Sequence, residues 1–363
     1  MKSTVVSLFL FLILFLSCRQ EVNKLDMLET FVIEEFDEKE LRSDEYFSEM
    51  RLLPLQLDTN QFIGKAKDVC IVGDTIFLLD EMTASIYTFD KKDGKCIAVI
   101  CKRGNGPNEY VNPVALSVNS GSLYVLDMPT SRVIEFDMEL NAVRSIQFDF
   151  PASDFVALNT GFLLYNLVPT KERNKFVYIN GKGEYINSFI SSEQEGYSNN
   201  LSGGLGKFFL KNRESDVFAF ESYSDIVYEW KNESLEPIYR IAFGKLGMPA
   251  DIDKNKINLF KEPYAFSGNI FMLSDMFIPS FFYRSQRYYG FISLSGKVRD
   301  AGIVKDERYH IPFYPQWQQG NELIGICRYE SAKKYFEENQ IFVRSLDDEF
   351  EQEQPVLVFY TRQ

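Results

Sequence analysis

Ile76-Phe77-Leu78-Leu79-Asp80 is matched by Leu123-Tyr124-Val125-Leu126-Asp127, and Ile86-Tyr87-Thr88-Phe89-Asp90 by Val133-Ile134-Glu135-Phe136-Asp137, each pair 47 residues apart. Two separate strand patterns in one register mark a duplicated unit. It reads as an apolar strand, an Asp, a short turn, a second strand ending in Phe-Asp, another turn and a third strand, at 96–101 and 143–148. Weaker copies begin at Phe162, Val217, Ile270 and Glu322, and apolar runs ahead of the copies, such as 69–72 and 114–118, supply a fourth strand. A repeat of about 40–50 residues with four strands per copy is the mark of a β-propeller. One four-stranded sheet cannot bury both its faces, whereas radial stacking in a ring covers both. The expected fold is therefore all-β, a six-bladed propeller of four-stranded blades over residues 31–363. A pair of packed sheets would not generate the 47-residue register, and too few residues remain for a seventh blade.

Two strand-like runs have no unit of their own, Phe31-Val32-Ile33 and Pro355-Val356-Leu357-Val358-Phe359-Tyr360. They are expected to complete one shared blade and zip the ring shut. A helix-like insertion occupies 331–339. The 33 Phe and 20 Tyr, part of a 15% aromatic content, favour strands over helices.

The N-terminus carries a different message. Met1-Lys2 is followed by an uncharged, mostly apolar run from Val5 to Leu16 and then Leu16-Ser17-Cys18. This is a secretory signal, too short for the roughly twenty residues of a membrane span. Its end resembles the lipobox of bacterial lipoproteins, in which the Cys is acylated and becomes the new N-terminus. The resemblance implies a signal peptide over 1–17, lipidation of Cys18, a tether over 18–30, and the membrane as a partner through the lipid. The implied location is the cell envelope, anchored to the outer membrane. Arg19-Gln20-Glu21 supplies one acid after the Cys, so a periplasm-facing and a surface-facing position both stay open.

The stretch Leu123-Tyr124-Val125-Leu126-Asp127-Met128-Pro129-Thr130-Ser131-Arg132-Val133-Ile134-Glu135-Phe136 resembles an NHL-type propeller repeat. Further stretches are Leu53-Pro54-Leu55-Gln56-Leu57 with Phe62-Ile63-Gly64, then Arg103-Gly104-Asn105-Gly106-Pro107-Asn108-Glu109-Tyr110, and the terminal 355–360 run. Together they look like the six-bladed propeller lipoproteins of Bacteroides-type bacteria. That resemblance implies fold and envelope location and no catalytic residues.

The chemistry legible in the chain is sparse. A net charge of −13 argues against nucleic acid or an anionic surface as partner, since both need a basic face. His310 is the one imidazole, which excludes multi-His metal sites. Cys70, Cys96, Cys101 and Cys327 are either disulfide partners or buried thiols, and none has C-x-x-C spacing. There is no G-x-S-x-G elbow. The recurrent Asp80 and Asp127 suit turn capping better than metal binding, because repetition in every blade marks scaffold. The Arg103–Tyr110 stretch is a candidate ligand loop, with Arg103, Gly104, Asn105, Gly106, Asn108, Glu109 and Tyr110 available, or else a clasp near the ring seam. The aromatic and Arg-rich run 279–289 sits where a loop of the fifth unit is expected. Its Phe282, Tyr283, Arg284, Arg287 and Tyr288 have the character of a binding surface, with a pair of ordinary strands as the alternative. Tyr314, Trp317 and Tyr329 are candidates for the channel mouth.

The expected function is a non-enzymatic binding or scaffold propeller for a glycan, peptide or envelope protein, with no cofactor required and no nucleic acid. The alternative is a metal-dependent hydrolase or lyase, with Ca²⁺ as the candidate ion, acting on a sugar-like substrate in the channel.

Overall fold

The computed structural model describes residue 25 and residues 28–36, 39–58, 61–169, 173–191, 207–212, 214–221, 224–249, 263–341 and 354–362. Six sheets form, each with its first strand innermost. Blade 1 comprises Ala66–Val72, Thr75–Asp80, Ser85–Asp90 and Cys96–Ile100. Blade 2 comprises Pro113–Asn119, Ser122–Asp127, Arg132–Phe136 and Ala142–Gln147. Blade 3 comprises Ala152–Leu158, Gly161–Asn166, Phe176–Asn180 and Tyr185–Phe189. Blade 4 comprises Phe209–Lys211, Val217–Phe220, Ile226–Lys231 and Ser234–Ala242. Blade 5 comprises Phe266–Leu273, Met276–Tyr283, Gln286–Ser293 and Val298–Lys305. Blade 6 takes Pro315–Gln319, Glu322–Arg328 and Pro355–Thr361 from the end of the chain and Glu49–Pro54 from its beginning.

Six apolar clusters fill the six gaps between neighbouring blades, which is the packing proof that the ring closes. Phe77 and Phe136 meet between blades 1 and 2. Leu126 and Leu164 lie between 2 and 3, Tyr165 and Ala219 between 3 and 4, Phe220 and Phe277 between 4 and 5. Phe291 and Val358 lie between 5 and 6, and Phe359 and Leu78 between 6 and 1. Each blade is covered on both faces, so the second strands of blades 1 to 5 are buried almost throughout rather than alternating with exposed residues.

The repeat register holds in three dimensions. Asp80 opposes Ser85, and Asp127 opposes Arg132, at the same place in blades 1 and 2. Both carboxylates are fully buried and act as turn caps. Asp80 accepts the backbone N–H of Lys65 at 2.7 Å and of Thr83 at 3.1 Å. Asp127 accepts those of Val111 at 3.1 Å and Asn112 at 2.8 Å. Asn166 does the same in blade 3, accepting from Val168 N–H at 3.1 Å.

The closing strand differs from the sequence expectation. Glu49–Pro54 pairs antiparallel with Pro355–Thr361. Alternation along it sends Leu52 into the cluster between blades 5 and 6 and Leu53 into the one between 6 and 1. Gly94, at φ +75°, lets the blade 1 hairpin abut this seam, where a Cβ would sit 2.0 Å from the Pro54 carbonyl oxygen. Phe31-Val32-Ile33 takes no part in closure. Glu29–Val32 adds a fifth, parallel strand to the outer edge of blade 4, and Glu40–Arg42 does the same for blade 5. The cause is that Phe31 and Ile33 bury between blades 4 and 5, with the Phe31 ring 5.0 Å from Tyr239 and 5.7 Å from Phe277.

The insertion in blade 6 is the helix Tyr329–Glu338. Among the described residues no helix is long and apolar enough to cross a membrane.

Candidate functional site

The innermost strands surround an axial channel that one ion cluster divides in two. Asp68 of blade 1 and Asp154 of blade 3 each follow a register shift in the first strand of their blade, which re-aims the side chain. Ala115 in blade 2 and Trp317 in blade 6 follow the same irregularity. That position thus breaks the ring symmetry with two acids, a methyl group and an indole.

Lys207, just ahead of blade 4, reaches both acids. Its ammonium hydrogen-bonds Asp68 Oδ2 and lies 3.3 Å from Asp154 Oδ1. The acids also bind the neighbouring blades, Asp68 accepting Leu116 N–H at 2.7 Å and Asp154 accepting Phe208 N–H at 2.8 Å. Burial pushes the Asp68 carboxyl up, against the pull of Lys207. Burial also works against the Lys207 charge, but Asp154 and Asp68 outweigh it and hold the ammonium well above its ordinary value.

A cavity of about 440 Å³ opens at the end where the innermost strands finish, lined by Cys70, Asn119, Lys211, Asn212 and Gln318 among others. Lys211 Nζ rests on neutral oxygens there, Ala157 O at 3.1 Å and Val118 O at 3.3 Å, and burial draws its pKa down. Burial pushes the Cys70 thiol up, so it is no thiolate nucleophile.

The second cavity, about 410 Å³, opens where the innermost strands begin. Lys207 and Trp317 line both cavities. Lys65 pairs with Glu81 at 2.5 Å at this mouth and, chiefly through that bond, holds its carboxyl below the ordinary range. Arg287 lies with its guanidinium carbon 3.8 Å from the Tyr314 ring centroid and 4.7 Å from that of Phe282, and donates to Tyr314 Oη at 2.8 Å. Three buried polar atoms on lining residues, Ser153 Oγ, Asn269 Oδ1 and Arg287 Nε, have no hydrogen-bond partner among the described residues.

Of the residues singled out in sequence, Arg287, Tyr314 and Trp317 reach this chamber. The aromatic run itself is not a loop. Phe282 and Tyr283 end one strand of blade 5, Arg287 and Tyr288 begin the next, and a two-residue turn at Arg284 and Ser285, both at positive φ, joins them. Phe282, Tyr283 and Tyr288 are buried, and only Arg284 stands fully exposed. Tyr329 stacks on Phe336 in the helix, away from both cavities.

The Arg103–Tyr110 loop crosses from blade 1 to blade 2 rather than lying at the seam, and none of its residues lines either cavity. It is bound to itself. Gly104 N–H donates to Tyr110 O at 3.0 Å, Tyr110 N–H to Lys102 O at 2.9 Å, and Gly106 N–H to Glu109 Oε2 at 2.9 Å. Arg132 pins it by donating to Gly106 O at 3.0 Å. Tyr110 is fully buried in the cluster between blades 1 and 2, and burial pushes its phenol up to about 12. The Glu109 carboxylate folds over Gly104, where a Cβ would meet its Oε2 at 2.0 Å. Arg103, Asn105 and Asn108 form the exposed rim of this clasp.

His310 is an exposed turn residue at φ 61°. Cys70, Cys96, Cys101 and Cys327 are free thiols. Cys18 lies outside the described residues. Among those residues no three His, Cys, Asp or Glu side chains converge.

The profile of a family described as a domain of unknown function, DUF4934, matches residues 28–361. No curated protein matches the chain. Among solved structures, a Bacteroides fragilis protein described as a putative exported protein aligns with a TM-score of 0.70 at 15% identity, covering 93% of this chain and 100% of its own. A DUF4221 family member from Bacteroides vulgatus aligns with a TM-score of 0.55 at 12% identity, covering 87% of this chain and 97% of its own. At these identities the likeness is one of fold.

Proposed function

The chain belongs to the DUF4934 family, and from that premise we propose that it is a lipid-anchored propeller of the cell envelope that binds a glycan in the chamber walled by Arg287, Tyr314 and Trp317, without turning it over. One observation carries the reading. Ser153, Asn269 and Arg287 line that chamber, and each carries a buried polar atom, Ser153 Oγ, Asn269 Oδ1 and Arg287 Nε, with no hydrogen-bond partner among the described residues. A buried polar group left unmade costs about 1–3 kcal/mol, and sugar hydroxyls both donate and accept, so a glycan answers all three. The aromatic faces alongside suit the apolar face of a sugar ring. The axial acids favour binding over metal-assisted hydrolysis, because Lys207 and backbone N–H groups already occupy Asp68 and Asp154. The envelope location rests on the lipobox-like Leu16-Ser17-Cys18 and fits the exported description of the Bacteroides fragilis relative in fold. The Asp127–Arg132 contact at 3.7 Å in blade 2 supports the NHL-like reading of that repeat.

Two results are expected. Calorimetric titration of the lipid-free mature chain with oligosaccharides gives saturable binding with no product, and Asn269→Ala weakens it by about tenfold, the scale of one lost hydrogen bond. Consumption of the sugar, or unchanged affinity in a folded Asn269→Ala variant, counts against the reading. Separately, Cys18→Ser moves the protein from the membrane to the soluble fraction and abolishes fatty-acid labelling. Unaltered partitioning would sink the anchor.

A further inference from the structure

Building on the glycan reading, we infer that the ligand of the Arg287 chamber is acidic, a sugar bearing a carboxylate, and that Arg287 is the residue that engages it. The chain carries a net charge of −13, yet this chamber reverses the sign. Lys65, Lys67, Lys207 and Arg287 line it against Glu81 and Asp154. Lys65 and Lys67 share the single carboxylate of Glu81, and Lys207 is held by the axial acids. Arg287 is different, since among the described residues no carboxylate comes within ion-pair distance of it.

The placement of Arg287 is a built one. Phe282 and Tyr314 each present a ring to the guanidinium, and the Tyr314 hydroxyl accepts one of its N–H groups at 2.8 Å. These contacts fix the plane of the fork and strip water from it while leaving its charge unanswered. Nε is buried with no acceptor. A planar guanidinium with free donors matches a carboxylate in two-point fashion. Because the rings hold the fork in place, little side-chain freedom is lost when the acid arrives. The structural alternative, an arginine that only fills space between blades 5 and 6, leaves the orphaned Nε and the reversed local charge unexplained. Asn269 and Ser153 on the same chamber wall give neighbouring hydroxyls their partners, so the carboxylate and the sugar ring are read by separate groups.

The test compares hexuronate oligosaccharides with neutral oligosaccharides of the same length, on the mature wild-type chain and on Arg287→Gln and Arg287→Lys. The acidic series is expected to bind about ten- to a hundredfold more tightly than the neutral one, the range of a charge-assisted bond. Arg287→Gln costs the acidic series about ten- to a hundredfold and the neutral series much less, so the acidic preference disappears, and Arg287→Lys recovers part of it. The acidic preference shrinks with added salt, whereas neutral binding does not. Equal affinity for both series, or an equal loss of both in Arg287→Gln, overturns the inference and leaves the glycan reading standing. Binding of an acidic peptide in place of either sugar overturns both. Binding of no probe also overturns both, provided the thermal melt shows wild type and variants folded.

Discussion

Lys207→Met is expected to destabilise the fold by about 3–5 kcal/mol, the cost of leaving buried charge without its partner. Lys207 is the cation that Asp68 and Asp154 share, and their side chains are only 1% and 4% exposed. Met keeps most of the aliphatic stem, so the loss isolates charge rather than volume. Replacing the acids as well, in Lys207→Met with Asp68→Asn and Asp154→Asn, is expected to restore most of the stability, because no buried charge then remains. The deficit of the single variant depends on pH. Burial holds the Asp68 carboxyl above its ordinary value of 3.8 in the folded protein. A raised folded pKa means the native state binds this proton more tightly than the unfolded chain. The stability it contributes is full below about pH 4 and is lost as pH rises through the folded value. Lys207 is what pulls that value down, so its removal shifts the loss to higher pH. Denaturant melts are expected to show a small gap between variant and wild type near pH 5 and a large one near pH 8. An equal gap at both, or no recovery in the triple variant, would show that Lys207 acts through packing alone.

Deleting residues 355–363 is expected to abolish cooperative folding. The strand Pro355–Thr361 lies between Glu322–Arg328 and Glu49–Pro54, and it is the one element that joins the two ends of the chain in blade 6. Val356, Leu357, Val358, Phe359 and Tyr360 are all buried. They alternate between the clusters on either side of the blade. At about 1.5–3 kcal/mol per buried apolar side chain, the strand contributes on the order of 10 kcal/mol, comparable with the whole stability of an ordinary domain. The truncated chain should elute with an enlarged hydrodynamic radius and lose its near-ultraviolet circular dichroism. A sharp thermal transition in the truncated protein would mean that the ring holds without its closing blade.

Much of the fold was legible because backbone chemistry recurs. Asp80 and Asp127 sit at a turn that needs its N–H groups capped, and the same need returns the same residue in blades 1 and 2 and an Asn, Asn166, in blade 3. Closure was harder to read. Phe31-Val32-Ile33 and Glu49–Pro54 are both short apolar runs, and nothing local in either says which sheet edge it will meet. The aromatic run of blade 5 misled for a physical reason. A blade is covered on both faces, so Phe281, Phe282 and Tyr283 are all buried in succession, and the period-2 alternation that identifies a strand is absent. Arg287 was still found, as the charged residue in that apolar company. Asp68, Asp154 and Lys207 were missed, since the ion cluster spans 139 residues from Asp68 to Lys207. The local signal was there: an acid in the first strand of blades 1 and 3, at the position where blade 2 has Ala115 and blade 6 has Trp317.

The two parallel edge strands have a mechanical meaning. Tension applied to the N-terminal side of the domain does not arrive first at the strand that closes the ring. It must peel Glu29–Val32 from blade 4, then Glu40–Arg42 from blade 5, before any load reaches Glu49–Pro54. Each of these is a short rim attachment, so each yields ahead of the seam and takes up slack as it lets go. The order of elements along the chain thus places two breakaway links upstream of the lock, and the propeller stays whole while load on the chain ahead of Glu29 is taken up.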